Sequence, residues 1–205
     1  MARFVVGEPP RSGRLGILPA AFNPITKAHL ALADAALEQA GIDQVVFVLP
    51  ESLPHKAFDG ATFEQRLAMV EAAAGGRGVV VASGGLVYQI VRELSEICGA
   101  ELAVLCGRDA AERYVGWDYQ GGPSIDRQLK EYSLIVADRI GGYCAPPHLS
   151  QRITSVTLPP SIATISSSAV REAISSGQSW EHMTPEPVAA VIRRSNLYRD
   201  RVFPD

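Results

Sequence analysis

Short apolar runs alternate along the chain with stretches whose apolar residues recur every three or four positions. The runs predict buried strands, and the spaced stretches predict amphipathic helices. The predicted strands cover residues 14–18, 44–49, 78–82, 102–105, 133–137 and 153–158. The predicted helices cover residues 29–39, 63–74, 87–97, 168–176 and 187–194.

This alternation indicates an α/β fold. Continuous apolar strands separated by helices are typical of a parallel sheet that is covered on both faces. Right-handed crossovers then favour a doubly wound, Rossmann-like single domain over residues 14–200, preceded by an N-terminal extension of residues 1–13. Such a sheet binds ligands at the carboxyl ends of its strands, so the residues that follow each strand are the candidates for chemistry.

Composition and charge narrow the classes of partner. The 205 residues are 47% hydrophobic and 20% charged, which is typical of a soluble globular protein. A net charge of -3 leaves no broad basic face, so no polynucleotide partner is expected. No apolar run approaches the roughly 20 residues that span a bilayer, and the N-terminal segment lacks the features of a secretion signal. We therefore expect a cytoplasmic protein without a membrane partner, and the pattern is compatible with a homo-oligomer.

The three cysteines, Cys98, Cys106 and Cys144, are an odd number without the spacing of metal ligands. They predict buried free thiols in a reducing compartment. The chain also lacks the G-x-x-x-x-G-K-[ST] motif of P-loop proteins and the G-x-S-x-G motif of serine hydrolases.

A turn rich in small residues, PAAFNPITKAH at residues 19–29, follows the first predicted strand. A strand, a small-residue turn and a helix leave room for a phosphate at the helix N-terminus. Thr26 is predicted to cap the helix, and His29 lies in its first turn, facing the strand ends. The alternative is that Thr26 is only a cap and His29 an ordinary surface histidine.

A second turn, ISSSAVR at residues 165–171, follows the last predicted strand and opens a helix. Its three hydroxyl groups, its backbone N–H groups and Arg171 one turn later would together favour an anion. The alternative is that the serines only cap the helix.

The first turn resembles the [ST]-F-[DN]-P-x-[HT]-x-G-H signature of the nucleotidyltransferase superfamily, and the second resembles its I-S-S-[ST]-x-x-R motif. The chain departs from the first signature at Pro19-Ala20 (usually Gly-Gly), Ala21 (Ser or Thr) and Ala28 (Gly). The resemblance implies that His29, Arg171 and Thr26 act on the reacting phosphates. The residues implied to bind ATP are Ala20, Ala21, Phe22, Asn23, Gly107, Asp109, Ile165, Ser166, Ser167 and Ser168.

Elements in the middle of the chain narrow the resemblance to bacterial nicotinate-mononucleotide adenylyltransferases. These elements are PHK at 54–56, RLAM at 66–69, CGRD at 106–109, Trp117 and VADR at 136–139. The resemblance implies a pyridine mononucleotide acceptor in contact with Lys56, Tyr88, Trp117 and Arg139, with Trp117 stacked on its ring. Structural alternatives are that Trp117 is a core residue, Lys56 a loop cation and Asp109 a helix cap.

The implied reaction joins ATP to nicotinate (or nicotinamide) mononucleotide, giving the dinucleotide and pyrophosphate in NAD biosynthesis. Mg²⁺ would arrive with ATP, because the sequence contains no dedicated carboxylate cage. One alternative is a phosphopantetheine adenylyltransferase-like enzyme, which Thr26 favours since the pyridine-nucleotide enzymes carry His at that position. The other is a non-catalytic nucleotide-binding member of the same fold.

Overall fold

The structure is a computed structural model that describes residues 1–52, 60–119, 121–138, 142–162 and 164–199. Its strands are β1 (Arg3–Val6), β2 (Arg14–Pro19), β3 (Gln44–Pro50), β4 (Gly78–Ala82), β5 (Glu101–Gly107), β6 (Ser133–Asp138) and β7 (Ile153–Thr157). They form one seven-stranded sheet in the order β1-β4-β3-β2-β5-β6-β7. β1 is antiparallel to β4, and the other neighbours are parallel.

The α-helices are α1 (Lys27–Gln39), α2 (Phe63–Ala73), α3 (Val87–Ser95), α4 (Arg108–Gly116), α5 (Ile125–Gln128), α6 (Ser167–Ser175) and α7 (Glu186–Arg194). Short 3-10 helices cover Pro147–Arg152, Pro160–Ile162 and Glu181–Met183. Within the described ranges, no helix has the length and apolar character needed to cross a membrane.

The two faces of the sheet bury separate apolar cores. Leu18 and Phe47 face one core, together with apolar residues of α1, α2, α6 and α7. Ile17 and Val48, one position away, face the other core with residues of α3 and α4. Because strand side chains alternate between faces, one continuous apolar run supplies both cores. This arrangement confirms the predicted doubly wound α/β fold.

All six predicted strands and all five predicted helices are present, with ends shifted by a few residues. β1, a four-residue edge strand inside the predicted N-terminal extension, was not predicted. α4 and α5 were not among the predicted helices either. One prediction about the cysteines is wrong: Cys98 and Cys106 are buried, but Cys144 is exposed. Cys144 precedes Pro146 in an irregular segment, so it has no strand or helix to hold it against a core.

Candidate active site

The most enclosed cavity among the described residues lies where the strand order of the sheet reverses. β2 pairs with β3 on one side and β5 on the other, so the loops that leave β2 and β5 diverge. They open a cavity of about 530 Å³, within the range of small-molecule sites. Of the predicted site residues, the cavity wall contains Ala20, Ala21, Thr26, His29, Gly107, Trp117, Ile165, Ser166, Ser167 and Ser168.

His29 is oriented by the residue that caps its own helix. Its Nδ1 accepts a hydrogen bond from the backbone N–H of Thr26 at 3.0 Å, and Thr26 Oγ1 lies 2.8 Å from the same nitrogen. Because a backbone N–H can only donate, Nδ1 carries no proton, and the neutral ring has its proton on Nε2. His29 therefore presents a donor on its other nitrogen. Thr26, which is fully buried, is both a cap and a support for His29.

Phe22 lies behind the cavity wall and contacts His29 from the side. Its backbone is left-handed, with φ of 46°, and the Asn23–Pro24 peptide bond that follows is cis. The buried ring of Phe22 meets the imidazole edge-on, with centroids 5.2 Å apart, and meets Phe47 at 5.8 Å. Phe22 and Asn23 do not line the cavity, so their predicted contact with ATP stays a prediction.

The start of α6 forms another part of the cavity wall. Ser166 Oγ accepts a hydrogen bond from the N–H of Ala169, which confirms the capping interpretation for that serine. Ser167 Oγ donates to the carbonyl of Pro24 at 2.8 Å and so joins the two predicted turns across 143 residues. Backbone N–H groups of the first helical turn have no partner within a helix, so this wall offers donors to an anion.

Arg171 is directed at the first turn. Its Nη1 donates to the carbonyl of Asn23 at 2.7 Å, and its Nη2 lies 3.4 Å from Ser168 Oγ. Arg171 does not line the cavity. The predicted action of this guanidinium on the reacting phosphates stays a prediction, and the contact with Asn23 is an additional, supporting role.

The predicted acceptor residues are divided between two places. Trp117 lies at the mouth of the cavity with 47% of its surface exposed, so the alternative that it is a core residue is wrong. Tyr88 lies outside the cavity, with its ring edge-on to Tyr119, which does line it. Asp109, which was predicted to bind ATP, borders a shallower depression beside Trp117, so its contact with ATP stays a prediction. Lys56 and Arg139 lie outside the described residues.

Sequence reasoning missed Arg113. Among the described residues of the cavity wall, it is the only side chain that carries a full charge at neutral pH. Its Nε donates to the carbonyl of Asp109, one helical turn earlier. A signal was available, because Arg113 is four residues after Asp109 and so lies on the same side of α4, and Trp117 follows directly after that helix.

Cys106 at the end of β5 is a neutral part of the wall. Burial raises the pKa of its thiol from 9.0 to about 12, which disfavours the reactive thiolate. Across the part of the chain that the structure describes, no group of three or more His, Cys, Asp or Glu side chains could hold a metal ion.

Comparisons with known proteins agree with this arrangement. Residues 17–173 match the model of the family described as cytidylyltransferase-like. A probable nicotinate-nucleotide adenylyltransferase from Gloeobacter violaceus is 34% identical over 202 residues, covering 90% of this chain and 96% of the relative. A second probable enzyme of this name, from Bordetella pertussis, is 31% identical and covers 91% and 98%.

Solved structures give the same fold. The Plasmodium falciparum nicotinic acid mononucleotide adenylyltransferase complexed with NaAD superposes with a TM-score of 0.71. The alignment covers 93% of this chain and 100% of that one at 16% identity, so it supports the fold alone.

Proposed function

Because this chain belongs to the cytidylyltransferase-like family and aligns with nicotinate-nucleotide adenylyltransferases over 90% of its length, we propose that it adenylylates nicotinate mononucleotide. ATP is the donor, and the products are the dinucleotide and pyrophosphate of NAD biosynthesis. Nicotinamide mononucleotide, which presents the same phosphate group, is the second candidate acceptor of the adenylyl group. The three free cysteines support a cytoplasmic location, where thiols stay reduced.

One observation carries the proposal. The hydrogen bond from Ser167 to Pro24 joins the two turns that resemble the nucleotidyltransferase motifs, and residues of both turns line one cavity. The N-termini of α1 and α6 therefore converge at this cavity. Two converging helix N-termini favour a ligand with several negative charges, such as a triphosphate.

The proposed reaction needs no general base. The attacking atom is an oxygen of the acceptor phosphate, which is already ionised at neutral pH. Its bond to the α-phosphorus of ATP forms as the bond between that phosphorus and the bridging oxygen of the β-phosphate breaks. Pyrophosphate leaves with the electron pair. The protein must bring two anions into line and stabilise the developing charge, so positioning and electrostatics supply the catalysis.

The residues of the cavity wall suit these tasks. His29 would donate its Nε2 proton to an oxygen of the α-phosphoryl group, and Thr26 would keep the ring in that tautomer. Arg113 would offset the charge of the mononucleotide, and Trp117 would stack on the pyridine ring. Mg²⁺ would enter as part of the ATP substrate, since the described residues supply no cage of their own.

A pyrophosphate-release assay tests the proposal. ATP is incubated with nicotinate mononucleotide, nicotinamide mononucleotide or phosphopantetheine, and a reaction without acceptor is the control. Pyrophosphate release is expected with both pyridine mononucleotides and is expected to be faster with nicotinate mononucleotide. Thr26 favours phosphopantetheine as the second candidate, so release with that acceptor alone would overturn the choice of acceptor. Absence of release with all three would overturn the proposed activity.

A further inference from the structure

The backbone of the first turn is held by side chains from remote parts of the chain. Arg66 of α2 donates its Nη1 to the carbonyl of Ala21 at 2.8 Å. Arg171 and Ser167 of α6 donate to the carbonyls of Asn23 and Pro24. The hydroxyl of Tyr198, near the end of the described chain, donates to Asn23 Oδ1 at 2.7 Å. We call these four hydrogen bonds the loop clamp.

The hydrogen bonds of the loop clamp lie on both sides of Phe22, which has an unfavourable backbone conformation. Phe22 lies between the held carbonyls of Ala21 and Asn23, and its φ of 46° is rare for an aromatic residue. Such a conformation persists only where the surrounding structure over-determines it. The clamp provides that constraint, and the result is that the ring of Phe22 packs edge-on against His29.

Arg66, Arg171 and Tyr198 all lie outside the cavity wall, and of these three Arg66 and Tyr198 have no predicted contact with a substrate. Arg66 is 3% exposed and Tyr198 is 7% exposed, and both lie outside the cavity wall. A buried guanidinium is costly to desolvate, and burial lowers the pKa of Arg66. The buried guanidinium donates a hydrogen bond to the carbonyl of Ala21, and this bond holds the backbone next to Phe22.

We propose that Arg66 and Tyr198 are positioning residues that set the orientation of the His29 imidazole through the conformation of Phe22. They touch neither substrate. Thr26 fixes His29 at Nδ1, and the clamped Phe22 fixes the plane of the ring from its side. The inference rests on the proposed adenylyl transfer for its kinetic consequence, but its structural consequence can be measured without any substrate.

Tyr198→Phe is the main variant, because it removes one hydroxyl and keeps the ring. Tyr132→Phe is the matched control: Tyr132 is also buried and donates a 2.7 Å hydrogen bond, to Gln128, in the opposite core. Loss of alignment at His29 is expected to lower kcat about 10-fold in Tyr198→Phe, with KM for both substrates changing less than about two-fold. Tyr132→Phe is expected to leave kcat unchanged. Arg66→Lys, which keeps the cation and loses the planar fork, should resemble Tyr198→Phe.

A double-mutant cycle distinguishes positioning from general destabilisation. In the His29→Ala background, Tyr198→Phe is expected to change kcat less than about two-fold, because the group that it positions is gone. An equal loss of kcat with and without His29 would overturn the proposal.

The second readout needs no activity. In protein labelled with ¹⁵N-histidine, the ring nitrogens of His29 are expected to show the Nε2–H tautomer in the wild type. Tyr198→Phe should shift or broaden the His29 signals and leave those of His148 and His182 in place. Unchanged His29 signals would overturn the inference, whereas a shifted signal in a protein without pyrophosphate release would overturn only the proposed function.

Discussion

Substitution of single side chains in the cavity wall should change the kinetic constants in specific ways, and His29 gives the first such prediction. Its Nε2–H donor is preoriented by Thr26, so His29→Ala should lower kcat by roughly 10²- to 10³-fold, the cost of one preorganised donor. KM for ATP should change far less. Pyrophosphate release measures both constants. His148→Ala, at an exposed histidine outside the cavity, is the control, and an unchanged kcat in His29→Ala would restore the surface interpretation.

Trp117 tests the acceptor side of the cavity. A stacked aromatic ring contributes about 0.5–1.5 kcal/mol beyond area burial, so Trp117→Ala should raise KM for the mononucleotide up to about 10-fold. KM for ATP should hardly move. Because Trp117 is 47% exposed, its loss should leave the melting temperature almost unchanged. An equal rise of KM for both substrates would contradict stacking on the pyridine ring alone.

Arg113 tests the charge of the cavity wall. Arg113→Ala should weaken mononucleotide binding by about 1.5 kcal/mol, the lower end for a charge-assisted hydrogen bond, because the side chain is exposed. The effect should shrink as salt is added. Arg108→Ala is the control: Arg108 is on the same helix and pairs with Glu112, outside the cavity wall. A similar change of KM in both variants would mean that the positive charges of α4 attract the mononucleotide from a distance, and it would contradict a direct contact with Arg113.

At the scale of elements, the N-terminal segment is fastened to the turn after α3. The N–H of Gly99 donates to the carbonyl of Pro10 at 2.9 Å, and a side chain at Gly99 would overlap the carbonyl oxygen of Arg11. Gly99→Ala should therefore destabilise the protein by about 1–3 kcal/mol, as overpacking does. Gly116→Ala should be neutral or stabilising, because no atom of the described residues lies within 4 Å of the position of the added methyl group. Urea unfolding compares the two, and equal stability would contradict the fastening.

The elements also show what a sequence can and cannot predict. β2 to β6 were found because their apolar runs are long enough to be buried on both faces. β7 is buried only at Ile153 and Val156 and was found from its β-branched residues. β1 has only four residues and pairs at the sheet edge, so its pattern does not differ from that of a loop. The cavity-wall residues after β2 and before α6 were found by motif. The hydrogen bonds of Arg66 to Ala21 and of Tyr198 to Asn23 were not predicted, because contacts between residues so far apart in the chain leave no local sequence pattern.

The molecule as a whole should lose stability in alkali. Burial raises the pKa of Cys106 to about 12 and raises the pKa of Tyr114, Tyr132 and Tyr198 above its ordinary value of 10.0. These groups ionise at lower pH in the unfolded chain than in the folded one. Their contribution is therefore fully present below the unfolded pKa and is lost as pH rises toward the folded pKa, at about 1.4 kcal/mol per pH unit and group.

Urea unfolding between pH 8 and pH 11 measures this loss. The free energy of unfolding should start to fall near pH 9, where Cys106 ionises in the unfolded chain, and should fall more steeply above pH 10, where the tyrosines follow. Tyr132→Phe removes one of these groups, so its curve should be shallower above pH 10. Parallel curves for this variant and the wild type would contradict the assignment.

The position of β2 has a consequence for the protein on the ribosome. β2 is synthesised before β3 and β5, yet it lies between them in the sheet. One edge of β2 finds its partner soon, in β3, while the other waits for β5, roughly 80 residues later. At about 5–20 residues per second, a nascent chain carries an unpaired, apolar strand edge for several seconds. Arrested chains that end before β5 are therefore expected to recruit holding chaperones and resist protease poorly, while chains that include β5 and β6 gain protection.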